Sequence, residues 1–138
     1  MPLRYEMEIR EAIKNGIPDL LGVHGIPTSN SEKLKPSPCV YVLYDGMKVD
    51  EHKNAEKSLL IRVSWSIALA VRNVSAITDG ANSRISAQVL ASELCQLLKG
   101  WRPSDSRATP FLMEESPPPF FDAGLIVMAF NFSHSYTI

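Results

Sequence analysis

Residues 81–103, ANSRISAQVLASELCQLLKGWRP, decide how the rest of the chain is read. Leu90, Leu94, Leu97 and Trp101 recur at intervals of four, three and four, which places them on one face of a helix. Ile85, Val89 and Leu98 are expected to widen that apolar stripe, with Arg84, Gln88, Ser92, Glu93 and Gln96 as the polar remainder. Asp79 or Asn82 is the candidate N-cap, and Gly100 is the residue expected to close the helix in the left-handed region. Lys99 meets the negative end of the helix dipole, and Pro103 cannot continue the helix. Two extended apolar stretches flank this segment in sequence. The helix is read as their cover.

The stretch before it, residues 59–73, is the clearest strand. Ile61, Val63, Trp65, Ile67, Leu69 and Val71 alternate with Arg62, Ser64, Ser66, Ala68, Ala70 and Arg72, a period of two with one buried face. Its length predicts a bend or bulge. Residues 39–44, CVYVLY, read as a central strand, apolar on both faces. Asp45-Gly46 is a hairpin signal, so residues 47–50 are expected to turn back on them. Residues 51–58 are charged, of mixed sign and without period, and read as a solvated loop. Residues 20–38 are rich in Gly, Pro, Ser and Asn and read as irregular structure.

Near the start, Tyr5, Ile9, Ala12 and Ile13 follow a helical period over residues 4–15, with a Glu11–Lys14 pair outside and Gly16 and Pro18 ending the helix. After the long helix, residues 109–114 form a weaker strand with Pro110 at its start or edge. Pro117-Pro118-Pro119 reads as a stiff spacer rather than a ligand for a proline-binding partner. Residues 120–138 alternate again and are expected to form one long closing strand, with His134 a hydrogen-bonded core or rim histidine. The whole is predicted to be one α+β domain over residues 1–138. Its architecture is a two-layer sandwich: a mixed, mainly antiparallel sheet with two amphipathic helices on one face.

Composition agrees with a globular chain. It holds 138 residues, 45% of them hydrophobic, enough for a single core. A formal net charge of -1 supplies no global attraction to nucleic acid or anionic lipid. Cys39 and Cys95 sit among apolar neighbours, so buried free thiols are favoured over a bridge. The N-terminus has no signal-peptide run, and no apolar run approaches the ~20 residues that span a bilayer. A cytoplasmic protein is expected, unless export follows a route the sequence does not show.

The chemistry-bearing motifs are missing. No Gly-rich phosphate loop, HExxH, CxxC or GxSxG occurs. His52 has acidic neighbours but no partner at a ligand spacing, so no metal or other cofactor is expected. Glu114-Glu115 is a paired carboxylate, and neighbours in a strand point to opposite faces. The arginines and lysines are dispersed and not interleaved with aromatics, so no sequence-specific nucleic-acid partner is expected. The chain is read as not an enzyme.

The line Leu97-Leu98-Lys99-Gly100-Trp101-Arg102-Pro103, then Thr109 to Glu115, then Phe120-Phe121-Asp122-Ala123-Gly124-Leu125-Ile126-Val127, resembles the Mu-like phage tail terminator family. That family is related to the minor tail protein U of lambda-type phages. The resemblance is specific over about residues 81–138, and for the first half it rests mainly on size and element order. It implies a structural subunit, built in the cytoplasm of a bacterial host and carried in the virion tail. Six copies would form a ring that caps the tail tube, stops its polymerisation and prepares head joining. The implied partners are the chain itself, the tail tube protein and a head-completion or connector protein, with no membrane. A non-enzymatic morphogenesis or protein-binding module, acting as monomer or dimer, is the alternative.

Ring closure needs two different patches per subunit, and the segments 45–58 and 103–120 are the natural interface elements. The candidate interface residues are Trp101, Arg102, Asp50, Glu51, Lys53 and Arg107. Trp101 can instead complete the leucine stripe in the core. Arg102 can instead pair with Glu114 or the helix end.

Overall fold

Strand β3 (Ser58–Arg72) is the axis of the molecule. Its alternation is realised in full: Ile61, Val63, Trp65, Ile67, Leu69 and Val71 are all buried on one face. The structure, a computed structural model, describes residues 2–20, 22–25, 38–53, 58–72, 80–122 and 124–137. Around β3 stand helix α1 (Pro2–Gly16), β1 (Gly22–His24), β2 (Cys39–Lys53), helix α2 (Gly80–Leu98), β4 (Leu112–Met113), β5 (Phe120–Asp122) and β6 (Leu125–Thr137). The sheet order is β1-β2-β3-β6-β4, with β5 also paired to β6. Among the described residues β1 and β2 pair in parallel and the other pairings are antiparallel. The fold is the expected α+β class.

The core lies between the helices and one sheet face. Tyr5, Ile9 and Ile13 of α1, with Ala87, Leu94 and Leu98 of α2, pack on the β3 stripe and on Val40, Val42 and Phe132. Leu90, Leu97 and Trp101 border this cluster, so the stripe at four, three and four is the buried one. Val89 departs from the expectation: it is half exposed, because the face that packs is narrower than the sequence pattern suggested. On α1 the ion pair formed is Arg10–Glu6, one helical turn apart at 3.8 Å, rather than Glu11–Lys14.

Several boundaries are corrected. Asp45-Gly46 does not reverse the chain. β2 runs straight through it to Lys53, and the register against β3 shifts between Tyr44 and Met47. Gly46 has φ +102°, so the glycine serves a β-bulge, which needs the same left-handed backbone as a hairpin turn. Residues 51–53 are therefore strand rather than loop, while 54–57 lie outside the described residues. The bend expected in β3 falls on its partner instead, since β3 pairs with β6 without a shift from Leu60 to Arg72. The closing segment is two strands, not one: β5 folds back on β6 through a tight turn holding Gly124, with Asp122 opposite Leu125. β1 was not expected, and it adds a parallel edge. The strand over 109–114 shrinks to two residues. Asn82 lies inside α2, and Asp79 lies outside the described residues.

The end of α2 is as expected. Lys99 N donates to Cys95 O at 2.9 Å and Gly100 has φ +79°. A Cβ at Gly100 would meet nothing within 4 Å. Gly100→Ala therefore tests backbone conformation alone, and is expected to cost about 1 kcal/mol of unfolding free energy. Denaturant titration of the two proteins checks this; equal midpoints would contradict the left-handed closure.

Candidate functional site

The segment after α2 is pinned to the body at both ends. Gly100 N donates to Phe111 O at 3.0 Å, and Phe111 N donates to Trp101 O at 2.7 Å. Trp101 stacks edge-on against Phe111 with ring centroids 5.1 Å apart. Ala108 bridges Tyr136, and Thr137 N donates to Arg107 O at 3.2 Å. Trp101 is thus both a half-buried border of the core and part of the surface.

Asp105 holds this segment to α1. The Tyr5 hydroxyl donates to its Oδ2 at 3.0 Å across a hundred residues of sequence. Arg107 grips both carboxylate oxygens through Nε and a terminal nitrogen, each at 3.2 Å, and its backbone N–H donates to Oδ1 at 3.0 Å. These hydrogen bonds from Arg107 hold the Asp105 carboxyl well below the usual carboxylate range, and Asp105 in turn raises the Arg107 guanidinium. Burial first, then Asp105, raises the Tyr5 phenol. Arg107 also lies 5.0 Å from the Tyr136 ring centroid. Arg107 is therefore a fastening of this segment, which its sequence position could not show.

Beneath this seam Trp65 Nε1–H donates to His134 Nε2 at 3.2 Å. The neutral imidazole then carries its proton on Nδ1, an assignment that follows from the donor on the other nitrogen. Nδ1 is buried and has no hydrogen-bond partner among the described residues. The rings of Tyr5 and Phe111 pack on it at 5.4 and 5.0 Å. Burial lowers the His134 pKa from 6.5 to about 4.

Two of the concavities among the described residues bear on these positions. On the helix side Met7, Glu8, Glu11, Ala12, Trp101 and Arg102 border an open groove of about 430 Å³. Arg102 is exposed there and does not pair with Glu114. On the other sheet face a polar cleft of about 460 Å³ runs from Lys48 past Arg62 to Glu114. Glu114 lies 3.7 Å from Arg62, and the Ser133 hydroxyl donates to it at 2.6 Å. Asp50, Glu51 and Lys53 fall on a third element, the distal part of β2. The six interface residues read from the sequence therefore belong to three places rather than one.

Sequence reading did not single out the exposed apolar side chains at the two margins of the sheet. Met47 and Val49 on β2 are half exposed, in register with buried Val63 and Ile61. On the opposite margin stand Leu112, Met113, Phe120 and Phe121, the last 68% exposed. Among the described residues no three His, Cys, Asp or Glu side chains are grouped to hold a metal ion. No described helix is long and apolar enough to cross a membrane. Cys39 and Cys95 are free thiols, and burial raises the Cys95 pKa. The arrangement is one of surfaces and fastenings.

The model of the phage tail terminator protein family matches residues 7–138. The chain belongs to the phage tail terminator family. The match takes in the first half as well, where the resemblance in sequence rested mainly on size and element order. It makes the chain a phage-type structural tail protein. Among solved structures, a chain of the virion of a native gene transfer agent particle shares the fold at TM-score 0.57 and 10% identity. That alignment covers 98% of this chain and 91% of the other. No curated protein matches the sequence.

Proposed function

We propose that this tail terminator family member closes the head-proximal end of a tail tube as a six-membered ring, stops tube growth and presents a surface for head joining. The observation that carries the reading is the family match over residues 7–138. The pinned 100–111 segment and the apolar margins support it, because a ring needs rigid subunits with two unlike patches. The reading gives the chain no catalytic role. Its partners are further copies of itself, the tail tube protein and a head-completion or connector protein, and it assembles in the cytoplasm of a bacterial host.

Purified protein mixed with tubes grown from the tail tube protein is expected to sit at one tube end only. Class averages from electron microscopy would show a terminal ring of six subunits. Binding along the tube wall, or none, would overturn the reading and favour a monomeric or dimeric protein-binding module.

A further inference from the structure

Residues 100–111 form an omega-type loop whose two ends are tied to each other. Gly100 N–H donates to Phe111 O, Phe111 N–H donates to Trp101 O, and the Trp101 and Phe111 rings stack edge-on across this neck. Beyond the neck the loop meets the sheet through an isolated bridge, Ala108 to Tyr136, rather than a ladder. Thr109 N–H donates to Ser135 O, Ser135 N–H donates to Thr109 Oγ1 at 2.8 Å, and Thr137 N–H donates to Arg107 O. From the other side α1 holds the loop through Tyr5 on Asp105 and through Glu8 Oε1, which accepts from Ser104 N–H at 2.9 Å. Contacts of this number and kind open at less cost than a paired sheet unfolds.

The loop also covers a group that cannot stay in place once it is charged. His134 Nε2 accepts from Trp65 Nε1–H, so a proton on that nitrogen would set two N–H groups against each other. The ionisable groups packed about it are Tyr5 of α1, with Tyr136 of β6 against the Tyr5 ring, and Asp105 and Arg107 of the loop beyond the Tyr5 hydroxyl. β3 presents Trp65 and Val63 there. Asp105 is already matched by Arg107, so this set brings no uncompensated carboxylate to the new charge. The charged ring must therefore reach water. β3 and β6 pair without a break from Leu60 to Arg72, and α1 is anchored by fully buried Ile9 and Ile13. Phe111, carried by the loop, is the cover that yields with the fewest bonds lost.

We infer that residues 100–111 are an acid-released flap, which lifts off the sheet as one unit with its neck intact when His134 takes up a proton. The helices and the long strands stay folded. Gly100, left-handed and with open space around its Cα, stands at the hinge. The device is independent of the ring-capping reading.

The test is native-state hydrogen exchange, read amide by amide at pH 7 and pH 5 and corrected for the intrinsic chemical rate at each pH. The amides that cross between loop and body, Thr109, Ser135 and Thr137, are expected to share one protection factor. It should be lower than those of β3 and less dependent on added denaturant. Between pH 7 and 5 it is expected to fall about twentyfold, as for a histidine of pKa 6.5 in the open form and about 4 in the closed one. In His134→Gln, whose amide oxygen can still accept from Trp65, that fall is expected to vanish. Crossing amides as protected as those of β3, or exchanging independently of one another, would overturn the flap. A shared factor that ignores acid, or falls equally in His134→Gln, would overturn its release by His134. Should the variant not fold, the wild-type readings decide.

Discussion

Trp65→Ala is expected to lower the unfolding free energy by about 3–5 kcal/mol, the range for truncating a large aromatic in a packed core. Trp65 has no exposed surface and sits at the middle of β3, opposite Phe132 and edge-on to Tyr44 at 5.5 Å. Two losses combine there. The indole volume becomes a cavity between the sheet and the helices, and His134 Nε2 loses its donor while remaining buried. Trp65→Phe separates them, since it keeps most of the volume and removes the donor; about 1–2 kcal/mol is expected for it. Denaturant unfolding of the three proteins measures both. A Trp65→Ala loss below about 1 kcal/mol would mean that Trp65 does not centre the core.

Acid is expected to destabilise the fold through His134 on the order of 3 kcal/mol. The sign follows from the two states. Above pH 6.5 the imidazole is neutral in both the folded and the unfolded chain, and its burial carries no protonation cost. As the pH falls below 6.5 the unfolded chain takes up a proton that the folded chain refuses until about pH 4. Stability is therefore lost between those values and levels off below them. Asp105 contributes in a different window. Its carboxyl is held low by Arg107, so its contribution is present above the ordinary aspartate range and is lost only as the pH falls below about 4. Subtracting the pH profile of His134→Gln, whose amide oxygen can still accept from Trp65, isolates the histidine. Parallel profiles from pH 7 to 4 would sink the assignment.

How much could be read in advance depended on whether a local pattern had one structural meaning. The β3 alternation did, because a strict period of two with one large apolar face admits only a half-covered strand. The stripe from Leu90 to Trp101 did as well. Asp45-Gly46 had two meanings, and tertiary pairing chose the bulge: β3 offers partners as far as Ser58, so β2 continues. The split between β5 and β6 was hidden because aromatic and aliphatic residues continue on both sides of Gly124. β1 is three residues long, too short for any period to show.

The surface was less legible than the fold. Tyr5 and Asp105 meet from opposite ends of the sequence, a contact that no spacing encodes. Arg107 is read as an interface residue, and the sequence does not show that the same side chain also holds Asp105. Phe121 is placed in the closing strand without a face, and nothing among the described residues covers it. Exposed apolar residues at a sheet margin can be recognised only once the sheet has margins.

The central claim is that the chain ends tube growth, and tube length measures it most directly. Tail tube protein would be polymerised alone and with graded amounts of this chain, and lengths followed over time by electron microscopy. The account predicts that growth stops early, at a mean length that shortens as the ratio of this chain to tube protein rises. Tubes that lengthen equally with and without it, at amounts sufficient to occupy every end, would contradict the claim.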